Sequence, residues 1–483
     1  MTKAKSVAFV LSFVALISVL LLPLGSLSWQ GQIALGLLAF AVIMWVSEAV
    51  SYPVSALLII GLISLLVGLS PDPESPGEQF GTGEALRIAL DGFSSSAVAL
   101  VAAALALAVA MQATGLHRRI ALYVLKVAGD KTSRIVVGAI AISIILAFFV
   151  PSATARGGAV VPILLGMVAA FGLAVDSKLS ALLVITATQA VSVWNVGIKT
   201  AAAQNMVAVG FIEDQMDTTV SWGQWFLWAA PWSILMSVAL YFIMRAAVKP
   251  EVESIEGGRE LVDAQLAEMG PMTGAEKRLT AIAIILLGFW ATEGVLHPVD
   301  SSVITLVAVG LMLLPGVGVM EWKYAQDHIN WGTLIVFAVG ISLGSFLLDT
   351  GAAAWLSERT FGVLGLAGMP ILATIAIVSL FNILIHLGFA SATSLASALI
   401  PVFISLAATL DVPNGGIGFV IIQQFVISFG FLLPVSAPQN MLAYGTGAFT
   451  TRQFLKTGIP LTIVGYLLVL LLSATYWNWI GLV

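Results

Sequence analysis

FVPSATARGGAVVPI, residues 149–163, and GFASATSLASALIPV, residues 388–402, are two copies of one pattern. Each sets a Ser-Ala-Thr tripeptide, Ser152-Ala153-Thr154 or Ser391-Ala392-Thr393, between two apolar segments. Further along, each copy is followed by an Ala-x-Gln-Asn-Met-x-Ala element, around Gln204-Asn205-Met206 and Gln439-Asn440-Met441. Polar, broken backbone in matching places of two hydrophobic halves is the sequence mark of a secondary transporter's substrate site.

Composition fixes the surroundings of these motifs. The chain of 483 residues is 59% hydrophobic and only 9% charged, against roughly 25% charged residues in soluble domains. Apolar runs long enough to cross a hydrocarbon core of about 30 Å recur from end to end. This is the composition of an all-α polytopic membrane protein embedded in a lipid bilayer. The first run, 7–24, lacks a small-residue cleavage site and reads as a retained helix. The absence of cysteine excludes disulfides, thiolate metal sites and cysteine catalysis. Four scattered histidines offer no convergent catalytic set, so an enzyme is not expected; no cofactor and no nucleic-acid partner are expected either.

The predicted organisation is an N-terminal helix (1–31), a first repeat (32–247), a hydrophilic cytoplasmic linker (248–278) and a second repeat (279–483). Eleven helices are expected, at 7–24, 32–50, 54–70, 93–114, 179–211, 222–247, 279–297, 300–320, 332–350, 416–448 and 454–480. Those at 179–211 and 416–448 are expected to be broken. Re-entrant hairpins are placed at 135–175 and 370–410, with arms of roughly half a membrane each at about 1.5 Å per residue. A basic amphipathic stretch covers 117–134. The linker carries Glu251, Glu253, Glu256, Glu260 and Asp263. WVSEAVSYP (from Trp45) matches WATEGVLHP (from Trp290), and QATG (from Gln112) matches LDTG (from Leu348), so the repeat extends beyond the hairpins. Five spans per repeat make the copies inverted. With the N-terminus in the cytoplasm and the C-terminus outside, every Lys and Arg falls in an inner segment except Arg87, Arg359, Arg156 and Lys199. That bias is the positive-inside rule and suits a bacterial inner membrane.

Arg156 and Lys199 sit at membrane depth beside the motifs, where a charge costs roughly 2.5–3.5 kcal/mol on insertion scales. Arg156 is expected to clamp a carboxylate, and Lys199 to take the place of a bound Na⁺. Freed N–H groups at the second hairpin arms suit an anion, and Thr154 and Thr393 add hydroxyls. Breaks at Gly197-Ile198-Lys199-Thr200 and Leu433-Pro434-Val435-Ser436-Ala437-Pro438 expose carbonyls to a hard cation. His386 is a candidate proton site, against an equal reading as a packing histidine. Glu48 and Glu293 read as structural anchors, Trp222, Trp225, Trp228 and Trp232 as an interfacial belt, and Arg118 and Arg119 as surface anchors. A cation/proton antiporter on a related scaffold would need carboxylates at the hairpins and breaks, and none is there.

These motifs carry a resemblance. LPVSAPQNML (433–442) resembles the LPVATPPNAI-type signature of the divalent anion/sodium symporter family, and WVSEAVSYPVSALL (45–58) its helix-2 element. PSATARGG (151–158) and IHLGFASAT (385–393) are similar to hairpin motifs of its 2-oxoglutarate/malate exchanger branch. The likeness implies eleven helices, two re-entrant hairpins, a homodimer and elevator-type movement. It also implies carriage of dicarboxylates, citrate or sulfate, with Na⁺ as a coupling ion in many members. By that likeness Ser152, Thr154, Ser391 and Thr393 sit on substrate or cation, with Gly197, Ser436 and Ala437 in the breaks. The substrate set expected is Ser152, Thr154, Arg156, Lys199, Ser391, Thr393, Ser436, Ala437 and Asn440; the cation set is Ser152, Gly197, Ser391 and Ser436. The family's Ser-Asn-Thr is Ser-Ala-Thr here at both hairpins, and its Gly-Thr-Pro-Pro-type turn is replaced at Lys199-Thr200-Ala201-Ala202. Exchange of small divalent organic anions therefore ranks ahead of Na⁺-coupled symport of a dicarboxylate, citrate or sulfate.

Overall fold

The computed structural model describes residues 2–73, 75, 77–170, 172–254 and 257–483; Glu256 of the linker lies outside the described residues. The first half runs α1 (Lys3–Leu21), α2 (Trp29–Ser47), α3 (Tyr52–Gly68), α4 (Thr82–Leu90), α5 (Ser96–Thr114) and α6 (Leu116–Ala128). It continues with α7 (Thr132–Phe149), α8 (Ala153–Ala170), α9 (Lys178–Gly197), α10 (Ala203–Met216) and α11 (Trp222–Ala247). After α12 (Gly258–Met269) the order repeats: α13 (Gly274–Thr292), α14 (Ser301–Leu313), α15 (Trp322–His328), α16 (Trp331–Asp349) and α17 (Ala352–Thr360). Then come α18 (Ile371–His386), α19 (Ala392–Ala407), α20 (Ile417–Ile427), α21 (Pro438–Tyr444) and α22 (Thr451–Ala474). Among the described residues no strand forms, and nine helices are long and apolar enough to cross a membrane. The helix α13 falls outside that set because Glu276, Lys277 and Arg278 occupy its first turn.

Local chemistry repeats with the order. Gly115 and Gly351 close α5 and α16 with φ of 73° and 74°, the left-handed cap that glycine adopts without penalty. Pro162 and Pro401 lie inside α8 and α19, where each removes one backbone donor. Packing interchanges between halves: α5 lies on α14 as α16 lies on α3, and α8 lies on α21 as α19 lies on α10. Such swapped pairs are what a two-fold relation between repeats produces.

Three sequence expectations are corrected. The hairpin arms are 18 and 18 residues in the first copy and 16 and 16 in the second, so each is about 24–27 Å long rather than half a membrane. The tryptophans of α11 are not an interfacial belt: Trp222, Trp225 and Trp232 are buried. The indole N–H of Trp225 donates to Val196 O at 2.9 Å and that of Trp232 to Gly465 O at 3.1 Å. The linker, 248–278, is anchored on the first repeat. Glu251 accepts from the N–H groups of Lys178 and Leu179 at 2.8 and 2.9 Å, capping α9. Thr132 N–H reaches Glu253 O at 3.0 Å, and α12 packs on α6 and α8. Arg119, read as a surface anchor, is buried and pairs with Glu276 at 2.6 Å, tying α6 to the first turn of α13.

Candidate functional site

The tips of the two hairpins are built alike. Ser152 Oγ accepts the N–H of Ala155 at 3.2 Å, and Ser391 Oγ accepts that of Ser394 at 3.2 Å. Each serine so caps the second arm, satisfying one of the helix-start donors and leaving the N–H groups of the following Ala-Thr pair free of intrahelical partners. The breaks are equally matched. Ile198 and Leu433 are extended (φ −125° and −123°), a single turn follows, and Ala202 and Ala437 are extended again (φ −149° and −156°) before α10 and α21 begin.

Amides hold the breaks open. Asn205 Nδ2 donates to Asn195 O at 2.7 Å and Ile198 O at 3.1 Å, and its counterpart Asn440 donates to Gly430 O at 2.8 Å. Gln204 Nε2 reaches Ser428 Oγ of the other repeat at 3.3 Å, while Gln439 Nε2 reaches Ser192 Oγ at 3.0 Å. Basic side chains close the turns from behind. The Arg156 guanidinium donates to Asn195 Oδ1 and, at 3.0 Å, to Ala201 O. His386 Nε2 lies 3.3 Å from Ser436 O, the matching carbonyl of the second break, and its Nδ1 has no partner among the described residues.

These elements surround one cavity of about 1030 Å³. Ser152, Thr154, Ser391, Thr393, Ser436, Ala437 and His386 line it. The helices α8, α10 and α19 all start at its wall, at Ala153, Ala203 and Ala392. Three helix starts supply unpaired donors and the positive ends of three dipoles, an arrangement that favours an anion. The cavity extends past Gln112 and His117 to Glu48, Tyr52, His328 and Asn330, at the α5–α6, α2–α3 and α15–α16 junctions. Burial pushes the His117 imidazole below its usual range, partly opposed by the Met111 carbonyl on Nδ1.

Four expected residues are not on the cavity wall. Arg156 is wholly buried behind the α8 start, with its contacts inside the first break. Lys199 turns away from the cavity: its ammonium donates to Val220 O at 2.6 Å and feels the charges of Glu213 near the end of α10, Glu293 at the end of α13 and Asp300 at the start of α14. Gly197 backs onto α11, where a Cβ would come within 2.9 Å of Ser233 Oγ. Asn440 spends its amide N–H on Gly430 and is also off the wall. For cation ligation, Ser152 Oγ keeps a lone pair beyond its capping bond, Ser391 Oγ accepts from both Ser394 N–H and Ser394 Oγ, and Ala153 and Ala392 bring no side-chain oxygen. Sequence reasoning missed Asn195, Gln204, Ser428 and Gln439 as wall residues. Gln204 and Gln439 carried a readable signal, because both precede the repeated asparagine. Glu293 acts as an anchor, accepting from Ser301 N–H at 3.1 Å.

Comparison with known proteins is consistent across the whole chain. A relative from Cupriavidus necator described as a membrane protein is 49% identical over 468 residues, 97% of this chain and 91% of that one. The L-tartrate/succinate antiporter of Escherichia coli K12 is 28% identical, covering 86% of each chain. The sodium-dependent dicarboxylate transporter SdcS of Staphylococcus saprophyticus is 24% identical, covering 94% of this chain and 88% of that one. Among solved structures, the Alcanivorax borkumensis YdaH transporter superposes with a TM-score of 0.57 at 15% identity, over 92% of this chain and 99% of that one, a likeness of fold. The sodium:sulfate symporter transmembrane region matches residues 3–483, so this chain belongs to that family of membrane transporters.

Proposed function

We propose that the protein exchanges small divalent organic anions of the C4-dicarboxylate and 2-oxoglutarate type across a bacterial inner membrane. The observation that carries this is the meeting of three helix starts and the hydroxyls of Ser152, Thr154, Ser391, Thr393 and Ser436 around one cavity. One carboxylate of the anion sits at the Ser152–Thr154 tip and the other at Ser391–Thr393, each taking backbone N–H groups and a hydroxyl proton. Arg156 acts from behind the wall, on the carbonyl of Ala201, where a coupling cation would otherwise be needed to neutralise the turn, while His386 lies on the wall beside the carbonyl of Ser436. With a fixed guanidinium in that role, the empty carrier reorients poorly and obligate exchange follows. The antiporter from Escherichia coli supports this reading.

The sodium-dependent relative favours a second reading, Na⁺-coupled symport. A homodimer, elevator-type movement of the hairpin-bearing body and a cytoplasmic face at the α5–α6 junction follow the family resemblance and the charge bias. Labelled succinate uptake into proteoliposomes separates the two. Uptake that needs internal succinate and ignores an inward Na⁺ gradient establishes exchange. Net uptake driven by Na⁺ into anion-free vesicles rejects it in favour of symport.

A further inference from the structure

Two glutamines stand on the cavity wall in matching places of the repeats, Gln204 and Gln439, each one residue before the repeated asparagine. In LPVSAPQNML, Gln439 occupies the place of the second proline in the LPVATPPNAI-type signature. This chain therefore puts a hydrogen-bonding amide where the signature has an apolar ring.

The direction of that amide is fixed. Gln439 Nε2 donates to Ser192 Oγ of α9 at 3.0 Å. The Ser192 hydroxyl spends its own proton on Thr188 O at 3.2 Å, so toward Gln439 it can only accept. Gln439 Oε1 is left over. No donor among the described residues reaches it, yet it is not one of the sealed unpartnered oxygens, as those of Gln189, Gln424 and Asn440 are. In a buried residue on the wall, an oxygen neither bonded nor sealed opens into the cavity. A Cβ on Gly157 would lie 3.3 Å from Gln439 Cβ, so the side chain packs on the opening turns of α8, next to the Ser152–Thr154 tip. Gln204 is less constrained: its Nε2 reaches Ser428 Oγ at 3.3 Å, but Ser428 donates to no acceptor among the described residues, so either end of that amide can face it.

We propose that Gln439 Oε1 is a specificity determinant. It accepts a hydrogen bond from a hydroxyl on the carbon beside the carboxylate at the Ser152–Thr154 tip, so that 2-hydroxydicarboxylates are preferred to unsubstituted ones. The inference rests on the exchange of divalent organic anions proposed above and names the substrate class within it. A neutral acceptor oxygen repels a further carboxylate oxygen and gains nothing from a methylene, whereas an alcohol supplies the donor it lacks. Water can meet Oε1 when an unsubstituted anion is bound, so the discrimination is about tenfold, the worth of one neutral hydrogen bond, and not the far larger factor of a sealed pocket.

The test is calorimetric binding of succinate, L-malate and D-malate to the purified full-length protein. One malate enantiomer should bind about tenfold tighter than succinate to wild type. In Gln439→Met that ratio should fall below twofold. Gln439→Pro restores the residue of the signature, at the second position of α21 where the backbone N–H has no intrahelical partner, and should remove the preference in the same way. Succinate and both malates bound within twofold of one another by wild type would overturn the inference and leave the exchange reading standing. A preference retained in both variants would place the determinant elsewhere and overturn it too. Folded wild type that binds none of the three would bring down the exchange reading, and this inference with it. Should Gln439→Met fail to fold, Gln439→Pro decides alone.

Discussion

Replacing Arg156 by methionine should separate stability from transport. The guanidinium is completely buried, its Nε and Nη1 have no partner, and it belongs to none of the ion pairs among the described residues. Deleting it leaves Asn195 Oδ1 and Ala201 O without a donor, a loss of about 1–3 kcal/mol each. Against that stands the recovered desolvation of a buried cation, several kcal/mol after relaxation. The two nearly cancel, so the unfolding midpoint of Arg156→Met should stay close to wild type. Anion affinity should not. For a unit charge about 8 Å away, an effective dielectric of about 20 gives roughly 2 kcal/mol per unit of substrate charge. That is a loss of roughly 30-fold in affinity for each carboxylate that feels the field. Succinate binding by calorimetry and exchange in proteoliposomes read the two sides separately, with Arg156→Lys as the charge-preserving control. If Arg156→Met binds succinate within threefold of wild type, the guanidinium is a structural pin and the electrostatic argument fails.

Two further predictions test the frame around the site. In Gly458→Ala the new Cβ would lie 2.1 Å from Phe431 O, the carbonyl that Gln189 holds. The α22 helix must shift, at about 1–3 kcal/mol, so thermal stability and exchange should both fall, while Gly288→Ala, with open space around it, should behave as wild type. At the linker, burial raises the Glu251 carboxyl, but the N–H groups of Lys178, Leu179 and Glu251 itself and the Lys178 ammonium outweigh it and hold the group below its usual range. A depressed carboxyl contributes stability above the ordinary value of about 4.3 and loses it as pH falls through the folded value. The advantage of wild type over Glu251→Gln in thermal unfolding should therefore be full near neutrality and vanish in acid; a constant difference across pH would mean that the cap acts by shape alone.

The linker and the α11 tryptophans show where sequence reading stops. Residues 248–278 look like a tether because they are hydrophilic, and nothing local reveals that Glu251 caps α9 or that Glu276 meets Arg119 across 157 positions. The tryptophans fail for a different reason. In a helix that is apolar all round, periodicity does not tell a lipid-facing side chain from one packed inward, and Trp225 and Trp232 find their carbonyls only when α9 and α22 arrive.

What the sequence determined by itself is whatever the backbone must do locally. Prolines, glycines and Ser-Ala-Thr tips in an apolar chain dictate helix ends and breaks at membrane depth, and their repetition dictates two matching halves. Direction of the long side chains was decided only by the tertiary structure. Arg156 and Lys199 look alike in sequence, both cations beside a motif. One lies behind the cavity wall on the carbonyl of Ala201, and the other reaches Val220 beyond the break. A buried charge goes to the best acceptors that packing brings within reach, and those acceptors lie 45 and 21 residues away in the chain.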